Sequence, residues 1–267
     1  MSDTPLKLFW WAAKPNFGDA LSQIVTRHAA GRPVVHAGPR EAEMFALGSI
    51  LQIARRVYGK PEGERPKHRP TIWGSGIMAP IRAAFLEHVD VAMVRGPITA
   101  SLLGLDTELY GDPGLLTADA LGPVERHDRT GLLLHHSQLD HPEIAAMIKD
   151  EPAIEYIDVR KGPEVVCRAI GACRHVISSS LHGLIVADAY GVPNTWLDPL
   201  SHGRLKYYDY AASIARPMPL PMRHDQIRKA LPTLPDGPLA YTDGIDRAKT
   251  DLMTHFPAAL RSTEPAQ

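Results

Sequence analysis

Apolar positions along this chain alternate between two spacings. Runs with strand character, "LKLFWW" at 6–11, "RPVVHAG" at 32–38, "EMFALGSIL" at 43–51, "TIWGSG" at 71–76, "VDVAMVRG" at 89–96 and "ELYGDPG" at 108–114, end several times in glycine. Helix-spaced stretches such as "DALSQIVTRHAA" and "PITASLLGL" follow some of them. Strand, glycine turn, helix is the grammar of a parallel α/β sheet. It restarts after "GPVERHDRTG" with "LLLHHS" at 132–137, "AIEYIDV" at 153–159, "HVISSS" at 175–180 and "PNTWLD" at 193–198. The pattern predicts two α/β domains, residues 1–125 and 126–267, joined near 121–131. Residues 55–70, "RRVYGKPEGERPKHRP", mix Pro, Gly and both charge signs without periodicity and read as an exposed loop. Residues 216–238 read as a proline-punctuated connection, and "DGIDRAKTDLMTHFPAAL" as a final helix that packs back on the first domain.

Composition narrows the class. With 44% hydrophobic and 22% charged residues, the chain of 267 residues is neither disordered nor fibrous and can bury a sizeable core. A formal charge of -1 supplies no net field for nucleic acid or a membrane, so anion binding must come from locally placed Arg and Lys. Cys167 and Cys173 form neither a disulfide framework nor a zinc ribbon, which implies a reducing compartment. No apolar run is long enough to span a bilayer, so the expected location is the cytoplasm.

The chemistry concentrates where strands give way to helices. In "HVISSSLHGLIVADAYG" a strand at 175–178 precedes an apolar helix, so Ser178, Ser179, Ser180, Leu181, His182 and Gly183 fall at a strand's carboxyl end and a helix's amino end. Open α/β sheets bind anions there. The alternative is a serine-capped helix with a core histidine. "PNFGDALSQIV" offers Asn16 and Gly18 in a turn and Asp19 as helix cap or functional carboxylate. Arg95 in "AMVRGPITASLL" either clamps a phosphate or carboxylate or forms a surface ion pair. "WGSGIMAP" holds Gly74, Ser75 and Gly76 but lacks the third glycine of a dinucleotide fingerprint, and Asp112 in "YGDPGLL" orients a substrate hydroxyl or makes an Asx turn. Arg204 and Lys206 lie beside Tyr207, Tyr208 and Asp209, a group suited to phosphate and sugar, or else a solvated helix start. There is no P-loop, no D-x-D and no H-x-x-x-H pair, and no metal site is expected from His135, His136 and His141.

Taken in order, "NFGD", "ALGSIL", "IWGSG", "VRGP", "YGDPGLL" and "SSSLHGLIVADAYGVP" resemble the polysaccharide pyruvyl transferase family over residues 6–210. With the opening "FWW", they look most like the bacterial ketal pyruvate transferases of xanthan and succinoglycan assembly. The resemblance implies two Rossmann-like domains in a GT-B-like fold, with the active site between them. It implies phosphoenolpyruvate as donor co-substrate, no cofactor and no metal. The acceptor it implies is a sugar of a lipid-linked exopolysaccharide repeat, reached at the cytoplasmic face of the inner membrane, and the product a cyclic ketal plus phosphate. Nucleic acid is not an expected partner.

Mapped onto this chain, the family's donor residues are Arg95 and His182, while Ser180 stands where some relatives carry arginine. Arg204 or Lys206 would then complete a donor site that includes Ser178, Ser179, Leu181 and Gly183. His182 is the expected acid or base, Asp19 or Asp112 its partner, and Asn16, Gly18, Gly74, Ser75 and Tyr207 the acceptor side. The basic loop at 55–69 would touch anionic lipid or the acceptor's diphosphate, or is simply solvated. The competing readings are a GT-B-type glycosyltransferase using a nucleotide sugar and a carbohydrate-binding scaffold without turnover.

Overall fold

The computed structural model describes residues 4–138, 151–200 and 203–262. Among them, nine strands form two wholly parallel sheets. The first has the order β2-β1-β3-β4-β5, from β1 (Leu6–Phe9), β2 (Val34–His36), β3 (Met44–Phe45), β4 (Thr71–Ser75) and β5 (Asp90–Val94). The second has the order β7-β6-β8-β9, from β6 (Thr130–Leu133), β7 (Ile154–Tyr156), β8 (His175–Ser178) and β9 (Asn194–Trp196). Every residue of the central strands β6 and β8 is buried, as parallel strands covered on both faces must be. The helices of the first half are α1 (Phe17–Ala30), α2 (Leu51–Tyr58), α3 (Pro97–Leu103) and α4 (Thr117–Leu121). Those of the second are α5 (Pro163–Ala172), α6 (Leu181–Ala189), α7 (Leu205–Ser213) and α8 (Thr242–Thr254). These are the two parallel, Rossmann-like sheets that the strand and helix pattern predicts.

Local sequence explains most of these elements. Asn16 starts α1 by accepting the Gly18 N–H, Gly31 ends it in the left-handed region, and Phe17, Leu21, Val25 and Ala29 give it one buried stripe. Four expectations need correction. The loop expected from residue 55 is still helix to Tyr58, because Leu51, Ala54 and Tyr58 repeat at helical spacing and bury that face. The strand expected over 43–51 shrinks to Met44–Phe45, and that expected over 108–114 to a single bridge at Tyr110 before a 3-10 turn, Pro113–Leu116. The connection at 216–238 contains one-turn helices that bury Ile227.

A single apolar cluster runs from Leu8, Phe17 and Leu21 to Leu133, Val176 and Ile185, so the two sheets share one core. Helix α6 lies at its centre with Leu181 through Asp188 all buried, as expected of a helix apolar on every side. Asp188 is its one charge and accepts from Tyr210, Tyr241, Asn194 and Arg216 at 2.7–2.9 Å, tying α6 to α7, β9 and the chain before α8. Helix α8 straps the first sheet: Trp73 Nε1 donates to Leu252 O at 3.1 Å, and the Trp73 and Phe256 rings meet edge to face at 4.9 Å. No helix among the described residues is long and apolar enough to cross a membrane.

Candidate active site

Loops leaving the carboxyl ends of both sheets meet in one place. The Phe17 N–H, opening α1 after β1, donates to Val159 O, in the loop after β7, at 2.9 Å. One residue on, Gly18 lies against His182 of α6. A Cβ at Gly18 would stand 2.1 Å from His182 Nδ1, far inside contact distance. Glycine therefore lets the imidazole rest on the backbone of the opposite helix. Gly18→Ala is expected to cost about 1–3 kcal/mol by overpacking this contact. A urea midpoint equal to that of the parent would show that the ring is not held there.

Helix α6 begins at Leu181, so the first-turn N–H groups of Leu181, His182 and Gly183 have no intrahelical acceptor and form the positive end of the helix. His182 Nε2 is buried with no hydrogen-bond partner, a costly state for a polar atom unless a ligand or proton-transfer partner meets it. Burial, then the charges of Lys206 and Arg95, push the imidazole down to about 3, so it is neutral at pH 7. Half-buried Lys206 is lowered to about 8, by burial first and then by Arg95, against the pull of Asp19. Asp19 is raised to about 6 by burial, against the Asn16 hydrogen bond and Lys206. Asn16 Nδ2 holds Asp19 Oδ2 at 2.7 Å. Asn16, rather than Asp19, is thus the α1 cap, which leaves the Asp19 carboxylate facing this group of charges.

His136, in the turn that follows β6, joins the same group. Its Nδ1 is buried without a partner, and burial, Lys14 and Lys206 lower its pKa. In the sequence it stood in a histidine cluster, yet its position just past a strand's carboxyl end is the signal that marks the other site residues. Its ring lies 4.2 Å from that of His135, while His141 falls outside the described residues.

Several expected site residues instead build the scaffold. Arg95 is fully buried: Nε donates to Asp209 Oδ2 at 2.9 Å, Nη1 to Ser49 Oγ at 2.6 Å and Nη2 to Ile77 O at 2.9 Å. It is neither an open clamp nor a surface ion pair, because α7 closes over it. Gly96 allows that closure, since a Cβ there would lie 2.0 Å from Asp209 O. Asp112 is also buried; Oδ1 accepts the Gly114 N–H at 2.9 Å, which makes it the Asx cap of the 3-10 turn, while Oδ2 has no hydrogen-bond partner. Burial raises it to about 6.

Ser178 and Ser179 are not open donors either. Ser178 Oγ donates to Ser180 O and accepts the Ser180 N–H, and Ser179 Oγ donates to Gln138 Oε1 while accepting the His135 N–H. Tyr207, expected on the acceptor side, donates to Ser179 O at 2.6 Å and stacks on Trp196. Ser180, the N-cap residue of α6, makes no side-chain cap bond and is buried at the helix start. Gly74 lies against Pro113 and Ser75 Oγ donates to Gly48 O, so both are packed within the first sheet's surroundings. Arg204 is exposed, paired with Asp198 at 3.4 Å and set over Trp196. Lys206 is therefore the cation that faces His182 and Asp19.

Residues 64–202 match the polysaccharide pyruvyl transferase family, and the chain belongs to it. It is 32% identical over 144 residues to the succinoglycan biosynthesis protein ExoV of Rhizobium meliloti (strain 1021), covering 50% of this chain and 44% of that protein. It is 28% identical over 155 residues to the uncharacterised protein L143 of Acanthamoeba polyphaga mimivirus, covering 52% and 53%. The chain thus spans about half the length of the curated relatives it matches. Among solved structures, a functionally uncharacterised Klebsiella pneumoniae protein is similar at 14% identity and a TM-score of 0.45, over 78% of this chain and 86% of that one. A candidate UDP-N-acetylglucosamine 2-epimerase of Listeria monocytogenes is similar at 9% and 0.47, over 94% and 97%.

Proposed function

We propose that the chain transfers the pyruvyl unit of phosphoenolpyruvate to two hydroxyls of a sugar in a lipid-linked exopolysaccharide repeat, forming a cyclic ketal and releasing phosphate. The observation that carries this reading is the meeting of Lys206, His182 and Asp19 at the amino end of α6. Membership of the family and the likeness to a succinoglycan biosynthesis protein support it.

Phosphoenolpyruvate carries a phosphate and a carboxylate on one carbon, so its site must combine a cation with backbone donors. Lys206, the Ser180 hydroxyl and the first turn of α6 supply these, and buried Arg95 adds positive charge from behind. Burial first, and then the two cations, hold His182 neutral, and an anion beside the ring opposes that lowering and favours imidazolium. The protonated ring then delivers its proton to the methylene carbon, which becomes the methyl group. Asp19 takes the proton of the attacking sugar hydroxyl as oxygen bonds to C2. Phosphate leaves with the C2–O bond pair, and the second hydroxyl closes the ring as its proton passes to the released phosphate. Phosphoenolpyruvate is a co-substrate here, and the scheme calls on no resident cofactor.

Calorimetric titration with phosphoenolpyruvate, UDP and GDP tests this reading. The parent protein is expected to bind phosphoenolpyruvate saturably, and Lys206→Met to bind it roughly 10–100-fold more weakly, the worth of a hydrogen bond to a charged group. Tight nucleotide binding with no heat from phosphoenolpyruvate would instead establish a nucleotide-sugar enzyme. The pH profile of kcat/KM provides a second test. Because the scheme needs His182 protonated and Asp19 ionised, activity should be highest between about pH 3 and 6, fall as the pH rises past the Asp19 value of about 6, and fall more steeply as Lys206 loses its proton through about 8. A profile flat from pH 5 to 9 would remove these groups from the mechanism.

A further inference from the structure

Away from that junction, one imidazole nitrogen, one carboxylate oxygen and one thiol sulfur, from His127, Glu155 and Cys173, lie within 4.8 Å of one another. His127 precedes β6, Glu155 is on β7 and Cys173 follows α5 directly. All three sit at the amino ends of the second sheet's strands, at the edge opposite the active site. We propose that they bind a divalent cation of the zinc class, with water as the fourth ligand.

Three atoms no more than 4.8 Å apart share a point about 2.8 Å from each, and zinc bonds to N, O and S are about 2.0–2.3 Å long. Closing the site takes little more than half an ångström per ligand. His127 and Glu155 can supply that movement, since their side chains are 40% and 30% exposed and already 3.1 Å apart. Buried Cys173 is the fixed corner. A Cβ on Gly131 would lie 2.7 Å from its sulfur, so the glycine in β6 lets the thiol sit against the strand. Backbone bonds hold the frame: His127 N donates to Ala172 O at 2.8 Å and Arg174 N to Arg129 O at 3.0 Å.

The donor set also fits in charge and softness. A thiolate and a carboxylate neutralise a dication, and mixed S, N and O ligands suit zinc, whereas magnesium and calcium take oxygen. In this structure the thiol donates to Ala169 O at 3.1 Å, and burial together with Glu155 holds it up at about 12. A coordinated cation would remove that proton. Bound there, the ion would clip the linker before β6 to the second sheet, a stabilising role separate from catalysis.

Cobalt(II) titration of the chelator-treated full chain is the test. The expected result is a one-to-one complex with a sulfur-to-cobalt absorption band that zinc displaces. Cys173→Ser should abolish the band, while Cys167→Ser, at the other buried cysteine, should keep it. His127→Ala should weaken binding by more than the roughly 10–100-fold that losing an outer-shell partner costs, and should abolish the rise in melting temperature that zinc gives the parent. His127→Ala leaves phosphoenolpyruvate binding unchanged, so the outcome is independent of the proposed activity. No one-to-one band in the parent, or parent affinity retained in His127→Ala, would overturn the proposal, and the latter holds even if Cys173→Ser fails to fold.

Discussion

Arg95→Met is expected to lower the free energy of unfolding by about 3–5 kcal/mol, the cost of removing one member of a buried ion pair. Both side chains of the Arg95–Asp209 pair are fully buried. Without the guanidinium, Asp209 keeps its bonds from Thr99 N and Thr99 Oγ1 but loses its only cationic partner among the described residues. The Ser49 hydroxyl and Ile77 carbonyl lose a donor as well. The pair ties the β5–α3 turn to α7, so the loss should also loosen the helix that presents Lys206. Urea denaturation measures the effect. In a double-mutant cycle, Asp209→Asn should cost much less in the Arg95→Met background than alone, because the charge it leaves unpaired is already gone. An Arg95→Met protein as stable as the parent would mean that the pair is not intact in solution. Weak substrate binding by an Arg95 variant indicates a lost ligand contact only if the fold is intact.

His182→Gln is expected to do the reverse: about 10²–10⁴-fold lower kcat, the usual worth of a positioned acid or base, with little change in stability. The imidazole Nε2 has no hydrogen-bond partner, so no bond of the fold is lost at that atom. The substitution keeps a polar side chain of similar size, which limits the cavity or overpacking it introduces. Phosphoenolpyruvate binding should persist because Lys206 and the helix terminus remain. Calorimetry and single-turnover kinetics on the same preparation separate binding from turnover. A variant that turns over like the parent would exclude His182 from proton transfer and leave Asp19 to account for the pH dependence.

The local grammar of the chain was legible because it acts over a few residues. "DALSQIVTRHAA" reads as the helix α1, Pro97 opens α3, and "HVISSSLHG" marks a strand running into a helix, so the sheet edge where the candidate site lies was legible in the spacing. The same local view assigned the second half of α2, from residue 55, to a loop, because the charged residues around Leu51, Ala54 and Tyr58 obscured the stripe that only a core could reveal.

Which polar groups stay free was decided by tertiary packing. Arg95 finds Asp209 114 positions away, Ser179 finds Gln138 41 positions away, and Tyr207 finds Ser179 28 positions away. Desolvation makes an unpaired charge or hydroxyl costly in the interior, so these residues are captured by partners that come near only when the sheets close. Arg204 and Lys206 are neighbours in sequence at the start of one helix, yet α7 turns the first toward Asp198 and the second toward Asp19 and His182. The sequence by itself determined the elements and the edge at which chemistry gathers. Tertiary structure decided which residues at that edge remain available, because burial energy depends on neighbours that no local pattern records.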